Sequence, residues 1–211
     1  MPAIGISQQD INYSAAFQPS MPDGQFTMVY AGKALDWKGL HIFLRAAARA
    51  FKGVDKSYDI KLIGIRSESE QQKVNGWIVE EGLQGRVELI PFMQRDELLK
   101  IISTCSLSVY PAFRDSGSMS VLEACSLGCP TICFDAGGQD AFPDEVLIKV
   151  RVGESYEECV DAFAERLRWC ITHPAELTGI GHRSQEWVRE HMTWEQKVKS
   201  FAQIYSTMIG N

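Results

Sequence analysis

The sequence predicts an α/β protein built on a doubly wound parallel sheet of about six strands, followed by a group of C-terminal helices. Three observations predict it. Short apolar runs alternate with helical patterns from residue 26 to residue 150. The runs are apolar at nearly every position, as strands covered on both faces are. After Val150 only helical patterns remain.

Each element has its own signal. Residues 1–25 hold Pro2, Gly5, Pro19, Pro22 and Gly24 among polar residues and show no sustained periodicity, which predicts an interdomain linker or surface arm ahead of a domain over 26–211. FTMVYAG (26–32) is the first strand, and LHIFLRAAARAFKG (40–53) has helical spacing and stops at Gly53. YDIKLIG (58–64) is the second strand, followed by a polar helix ending near Gly82. RVELIPF (86–92), the helix RDELLKIIS (95–103) and LSVYPAF (107–113) continue the series. After a Ser/Gly turn come the helix MSVLEACSLG (119–128) and the strands TICFDAGG (131–138) and VLIKV (146–150). Strand and helix take turns throughout, so right-handed crossovers assemble a Rossmann-like sheet with helices on both faces. The closing helices cover 155–173, 174–192 and 194–209, with Pro174 restarting the second and Thr193 placed to cap the third.

Composition narrows the function classes. The 211 residues carry 21 basic and 27 acidic side chains, a formal net charge of −6, with 45% hydrophobic residues, which is a globular and mildly acidic balance. No Lys/Arg cluster is present, so nucleic acid is not an expected partner. No stretch reaches the roughly 18–20 apolar residues of a membrane helix, and MPAIGISQQD lacks the flank and core of a secretory signal. A cytoplasmic location is expected. Cys105, Cys125, Cys129, Cys133, Cys159 and Cys170 form no CxxC pair and have no His at zinc-ligand spacing, so buried free thiols are expected and no metal site.

Ligands of such a sheet bind at the carboxyl ends of its strands. The loop after the first strand, GKALDWKGL, places Lys33 and Lys38 around the start of a helix. A cation there faces the positive end of the helix dipole unless an anion sits between them, which suggests a phosphate; plain surface charges are the alternative. The loop after the fourth strand, FRDSGSMSVLEACSLGCP, puts Asp115, Ser116, Gly117 and Ser118 before a helix whose first N–H groups can converge on an anion. Glu123 lies inside that helix with Ser120 and Ser126 three residues to either side, a polar stripe opposite Val121, Leu122 and Cys125. A carboxylate there can accept both hydroxyls of a ribose, or stand as an ordinary surface residue. In FDAGGQDAFPDE, Gly137 and Gly138 permit either backbone approach to a ligand or a tight turn. There is no GxGxxG after the first strand, no GxxxxGK[ST] and no GxSxG, which removes the main support for dinucleotide, P-loop and serine-hydrolase chemistry. His41, His173, His182 and His191 fall on helices or their ends and are read as surface or capping residues.

Taken together, GKALDWKG, DSGSMSVLEACSLGCP and the closing HMTWEQKVKSFAQIY resemble the C-terminal, donor-binding domain of a retaining GT-B glycosyltransferase of the family 4-like group 1 transferases. The resemblance covers roughly residues 26–209. Its most specific element is a carboxylate pair with seven residues between, here Asp115 and Glu123, followed by Ala124, Gly128 and Pro130. A basic pair before glycine is the second, here Lys33, Lys38 and Gly39. The resemblance implies that Glu123 binds the ribose of a nucleotide-diphosphate-sugar, UDP- or GDP-linked, and that Asp115 lies against the transferred hexosyl group. It implies that Lys33 and Lys38 hold the diphosphate and stabilise the leaving group, giving Lys33, Lys38 and Asp115 catalytic roles. The backbone N–H groups of Gly117, Ser118 and Met119 would add donors to the phosphate, Gly32 and Ser116 would belong to the donor site, and Arg66, Phe92 and Met93 would flank the base. No metal and no other cofactor is implied. Lys33 replaces the usual arginine and lacks its planar fork, Asp115 is one methylene shorter than the usual glutamate, and Ser118 stands where glycine is common.

The resemblance also implies that this chain is one half of a GT-B fold in glycan or polysaccharide biosynthesis, with the acceptor-binding N-terminal domain absent. Little or no transfer is then expected from this half alone, and any peripheral membrane association would run through the other half. An exposed apolar face on the last helix is expected, with self-association as its consequence. The alternative is a noncatalytic nucleotide-binding or interaction module on the same fold. An epimerase or phosphorylase on this fold is disfavoured by the lack of a complete epimerase site or cofactor lysine motif.

Overall fold

The computed structural model describes residues 4–14, 25–54, 57–115 and 119–209. Six parallel strands, β1 (Phe26–Ala31), β2 (Tyr58–Ile63), β3 (Val87–Ile90), β4 (Leu107–Tyr110), β5 (Thr131–Phe134) and β6 (Ile148–Val150), form one sheet in the order β3-β2-β1-β4-β5-β6. The strand direction of travel reverses between β1 and β4, so the loops leaving these two strands diverge and open a crevice at their carboxyl ends. Several strands are shorter than the apolar runs that announce them. β3 stops before Pro91 and β4 before Pro111, since proline supplies no N–H to continue a ladder.

Side-chain alternation distributes the strands between two cores. One face presents Met28, Tyr30, Ile60, Leu62, Val109 and Phe134 to α2 (Leu40–Ala50), α3 (Glu68–Glu80) and α6 (Tyr156–Thr172), whose Phe43, Val74 and Phe163 pack there. The other presents Val29, Ile63, Tyr110 and Cys133 to α4 (Arg95–Ser103), α5 (Met119–Ser126) and the end of α7 (Pro174–His191). β4 and β5 are buried at every position, their side chains apolar except Ser108 and Thr131, and the Thr131 hydroxyl replaces lost hydration by donating to the Cys129 carbonyl at 3.2 Å. The six cysteines are free and buried, as the sequence suggested. Burial pushes the thiols of Cys105, Cys125 and Cys170 up to about 12, so they behave as small hydrophobes.

The helix ends follow their local signals. Ser67 and Glu70 form a reciprocal capping box on α3. Pro174 occupies the first turn of α7, and the Thr193 hydroxyl accepts from the Gln196 N–H at 3.2 Å to start α8 (Trp194–Ile209). His173 closes α6 against the Trp169 carbonyl, and His191 makes the same contact with Trp187. His41 is more enclosed than a surface residue: its ring lies between Trp77 and Tyr156.

Residues 4–14 lie on the domain as a packed arm. Their helix α1 (Gln8–Ser14) has no clear periodicity because only Ile11 and Ser14 turn inward. Ile6 bridges in parallel to Thr193, with Ile6 N–H donating to the Met192 carbonyl at 2.8 Å and Trp194 N–H to the Ile6 carbonyl at 3.0 Å. The stripe of α5 also differs from its sequence reading. Val121 through Ser126 are all buried, because α7 and the arm cover the side that an ordinary surface stripe would expose. The polar groups are satisfied there: Ser126 Oγ donates to the Glu123 carbonyl, the Ser126 carbonyl accepts from Gln185 Nε2, and Ser14 Oγ lies 3.2 Å from Ser126 Oγ. Among the described residues, no helix is long and apolar enough to cross a membrane.

Candidate functional site

The loops after β1, β2, β3 and β4 meet at the crevice between β1 and β4. The loop after β1 is held from within by the Tyr30 hydroxyl, which donates to the Lys33 carbonyl at 2.7 Å. It runs beside the loop after β2, where Gly32 N–H reaches the Ile63 carbonyl at 2.9 Å. A Cβ on Gly64 would stand 3.3 Å from the Gly32 carbonyl oxygen, and Gly64 has φ +95°, so both backbone shape and space favour glycine. Glu70 accepts from the backbone N–H groups of Arg66 and Ser67 and pins the second loop to the start of α3.

The loops after β1 and β4 are joined more tightly. Phe113 N–H donates to the Trp37 carbonyl at 3.0 Å. Gly39, at φ +68°, lies so near β4 that an added Cβ would fall 2.0 Å from the Pro111 carbonyl oxygen. The glycine after Lys38 is therefore a packing requirement, and its effect is to bring Lys38 to the end of β4.

There Lys38 Nζ lies 2.5 Å from Asp115 Oδ2 and 2.7 Å from the Tyr110 hydroxyl, with the Trp37 ring 4.5 Å away. Tyr110 donates to the same Asp115 oxygen. Burial first, and the neighbouring Asp115 second, push the Tyr110 phenol above its ordinary range, so it remains a donor at all physiological pH. The loop after β5 supports the other side of Asp115. Gly138 N–H donates to the Asp115 carbonyl at 2.6 Å, and a Cβ on Gly137 would come within 2.8 Å of that oxygen. Of the two roles open to this glycine pair, the structure shows the turn: Gly137, at φ +64°, starts a short 3-10 helix packed against the Asp115 loop.

Beside this group is an open cavity of about 290 Å³. Gly32, Lys33, Arg66, Phe92, Met93, Met119 and Glu123 all line it, together with Ser120. These residues come from four separate loops or helix starts. The Arg66 guanidinium stacks over the Phe92 ring at 3.9 Å, forming a flat platform on one wall. Glu123 lines the same cavity, 7% exposed, with Oε1 2.6 Å from Arg95 Nε. Lys33 is exposed and makes no ion pair among the described residues. Lys38 and Asp115 adjoin the cavity without lining it, and Ser120, which lines it, hydrogen-bonds Tyr110. Ser116, Gly117 and Ser118 lie outside the described residues.

The structure thus gathers Gly32, Lys33, Arg66, Phe92, Met93, Met119 and Glu123 around one space and places Lys38 and Asp115 at its edge. Sequence reasoning missed Tyr110 and Arg95. Tyr110 reads as one more residue of an apolar strand, and Arg95 as one charge in the polar start of a helix. The arrangement offers a flat cationic and aromatic wall, a carboxylate acceptor and an exposed cation around one space. Phosphate, a planar ring and vicinal hydroxyls are the groups such a cavity complements. Among the described residues, no group of three or more His, Cys, Asp or Glu side chains is placed to hold a metal ion.

Known proteins share this arrangement of elements. The sequence matches the family described as Glycosyl transferases group 1 over residues 14–187. It is 25% identical over 154 residues to sucrose synthase from Solanum tuberosum, covering 67% of this chain and 19% of the relative. Identity to D-inositol 3-phosphate glycosyltransferase from Arthrobacter sp. (strain FB24) is 24% over 133 residues, covering 60% of this chain and 32% of the relative. Among solved structures, sucrose-phosphate synthase from Thermosynechococcus elongatus aligns with a TM-score of 0.72 at 20% identity, over 98% of this chain and 52% of that one. Anabaena HepE in complex with UDP and glucose aligns with a TM-score of 0.71 at 17% identity, over 96% and 53%. This chain spans about half the length of those solved structures and a third or less of the curated relatives. A parallel sheet that reverses between β1 and β4, glycine-stitched loops around a carboxylate and lysine pair, and a family match running through all of them lead to one assignment: the chain belongs to the group 1 glycosyltransferases, and its sheet is a Rossmann-like unit of their GT-B fold.

Proposed function

We propose that this chain is the donor-binding half of a retaining hexosyltransferase and that the cavity between β1 and β4 holds a nucleoside diphosphate-sugar. The observation that carries this reading is the convergence of Glu123, Lys33 and the Arg66–Phe92 platform on one space, with Lys38 and Asp115 at its edge. In this reading the base stacks against Phe92, Arg66 and Met93, and Glu123 accepts hydrogen bonds from the ribose hydroxyls. Gly32 lets the backbone approach the diphosphate, and the first turn of α5 from Met119 offers N–H donors, joined by Ser116, Gly117 and Ser118. UDP is the favoured carrier, since several structural neighbours, HepE among them, were solved with it.

The chemistry follows from where charge develops. As the bond between the sugar's anomeric carbon and the diphosphate breaks, negative charge grows on the departing phosphate oxygen. Lys33 and Lys38 meet that charge, and Lys38, largely enclosed by Trp37 and Tyr110, acts in the lower local dielectric. Asp115 faces the transferred hexosyl group. Its backbone is held from the other side by the Gly138 N–H and the close approach of Gly137. The lysines supply the charge compensation, so a divalent cation is not required. The acceptor and the second wall of the active site belong to an N-terminal domain of the GT-B type. The surface for that domain is the α8 stripe of Trp194, Val198, Phe201, Ile204, Tyr205 and Met208, each at least 46% exposed and spaced along one helix face.

A thermal-shift panel tests this reading. UDP and UDP-hexoses should raise the melting temperature in proportion to the logarithm of their concentration, with or without EDTA, and more than ADP does. No shift from UDP, GDP or ADP at millimolar concentration would contradict it.

A further inference from the structure

Arg95 sits in an unfavourable place for a lone cation. It is the first residue of α4, where the helix dipole presents its positive end. Two carboxylates hold it there. Its Nε lies 2.6 Å from Glu123 Oε1 on the cavity wall, and its Nη1 lies 2.5 Å from Asp10 Oδ1 on the N-terminal arm. Burial works against the Arg95 charge, yet these two partners keep the guanidinium more firmly protonated than usual. Asp10 is fixed in turn: Ser7 Oγ donates to its Oδ2 at 2.6 Å, and the Asp10 N–H donates back to Ser7 Oγ at 3.1 Å. One residue earlier, Ile6 is bonded across to Met192 and Trp194 at the start of α8.

Glu123 has a flexible three-torsion side chain, and a carboxylate can grip two vicinal hydroxyls only if its plane and position are set beforehand. Arg95 takes one of its oxygens and leaves the other, Oε2, without a bonded partner among the described residues. The Nε contact alone fixes the side chain on one side, and the Nη1 contact prevents the guanidinium from swinging away. Lysine, with a point charge, could hold one carboxylate but not orient both.

We infer that Arg95 is a positioning residue for ribose recognition, aiming Glu123 into the cavity, and that the N-terminal arm takes part in donor binding through Asp10. The inference rests on the assignment of Glu123 to the ribose. Its consequence is that the segment preceding the sheet is a functional part of the site: the start of α8, Ile6, α1, Asp10, Arg95 and Glu123 form one bonded path from the last helix to the cavity.

Calorimetric titration of the 211-residue chain with UDP and 2′-deoxy-UDP tests it, because a residue that merely stabilises the fold would weaken both ligands equally. Wild-type chain should favour UDP by about tenfold, the preference expected for one well-placed hydrogen bond to a charged group. In Arg95→Met the preference should fall to about twofold, mostly through weaker UDP binding, and Arg95→Lys should restore only part of it. Asp10→Asn, whose change lies outside the cavity, should reduce the preference two- to threefold and serves if Arg95→Met does not fold. Glu123→Gln separates the two ideas. If it erases the preference while Arg95→Met and Asp10→Asn retain it, the role of Arg95 and the arm is wrong and the ribose assignment stands. If Glu123→Gln leaves the preference intact, the ribose assignment is wrong, and the inference falls with it.

Discussion

Lys33 and Lys38 come from one loop, five residues apart in a single motif, yet the fold gives them opposite surroundings. Lys33 is exposed at the cavity mouth with no ion pair among the described residues. Lys38 is drawn under the loop after β4, bonded to Asp115 and Tyr110 and stacked near Trp37. The difference comes from backbone packing. Gly39 lets the chain pass against Pro111, and the Phe113–Trp37 hydrogen bond holds it there. A motif therefore specifies charge, while the neighbouring glycine specifies how much that charge is worth: Coulomb interactions are strong where water is excluded and weak where it is not.

If that contrast governs catalysis, Lys38→Ala should have the largest effect. In a chain joined to the acceptor-binding domain proposed for it, it should lower kcat for transfer from a UDP-hexose by about 10²–10³, the loss typical for one preorganised donor to developing charge. A loss below tenfold would place the leaving-group charge elsewhere. Gly39→Ala attacks the packing that creates the contrast. It should destabilise the chain by about 2–4 kcal/mol through strained φ and displacement of Pro111, read as a lower midpoint in urea. Tyr110→Phe keeps the ring and removes the hydroxyl between Lys38 and Asp115, and should cost about tenfold in transfer with a smaller loss of stability. Lys33→Ala should be the mildest, weakening UDP about threefold at low salt and hardly at all near 0.5 M, where exposed charges are screened within about 5 Å. An effect of Lys33→Ala that survives high salt would show that the two lysines are alike after all.

Much of the fold was legible because strands and helices here differ in kind. β4 and β5 are buried on both faces and read as short, mostly apolar runs, while α2 and α6 carry their apolar residues at helical spacing. The loops after β1 and β4 were legible through residue types that helix termini and anions demand. What stayed hidden depends on contacts distant in sequence. Arg95 reaches Asp10 across 85 residues and Glu123 across 28, and nothing in RDELLKIIS marks it as different from its charged neighbours. That Ser126 is buried stayed hidden for the same reason, since its cover comes from Ser14 and Gln185 at either end of the chain. Helix α1 was missed because its anchoring rests on Ile6 and Ile11 and too few turns to show a period.

The central claim is that a nucleoside diphosphate occupies the cavity between β1 and β4, and mapping UDP onto backbone amide resonances by NMR tests it most directly. Saturable shifts should concentrate at Gly32, Gly64, Met93, Met119 and Glu123, with little change along α6. Shifts absent at millimolar UDP, or clustered away from these loops, would contradict it.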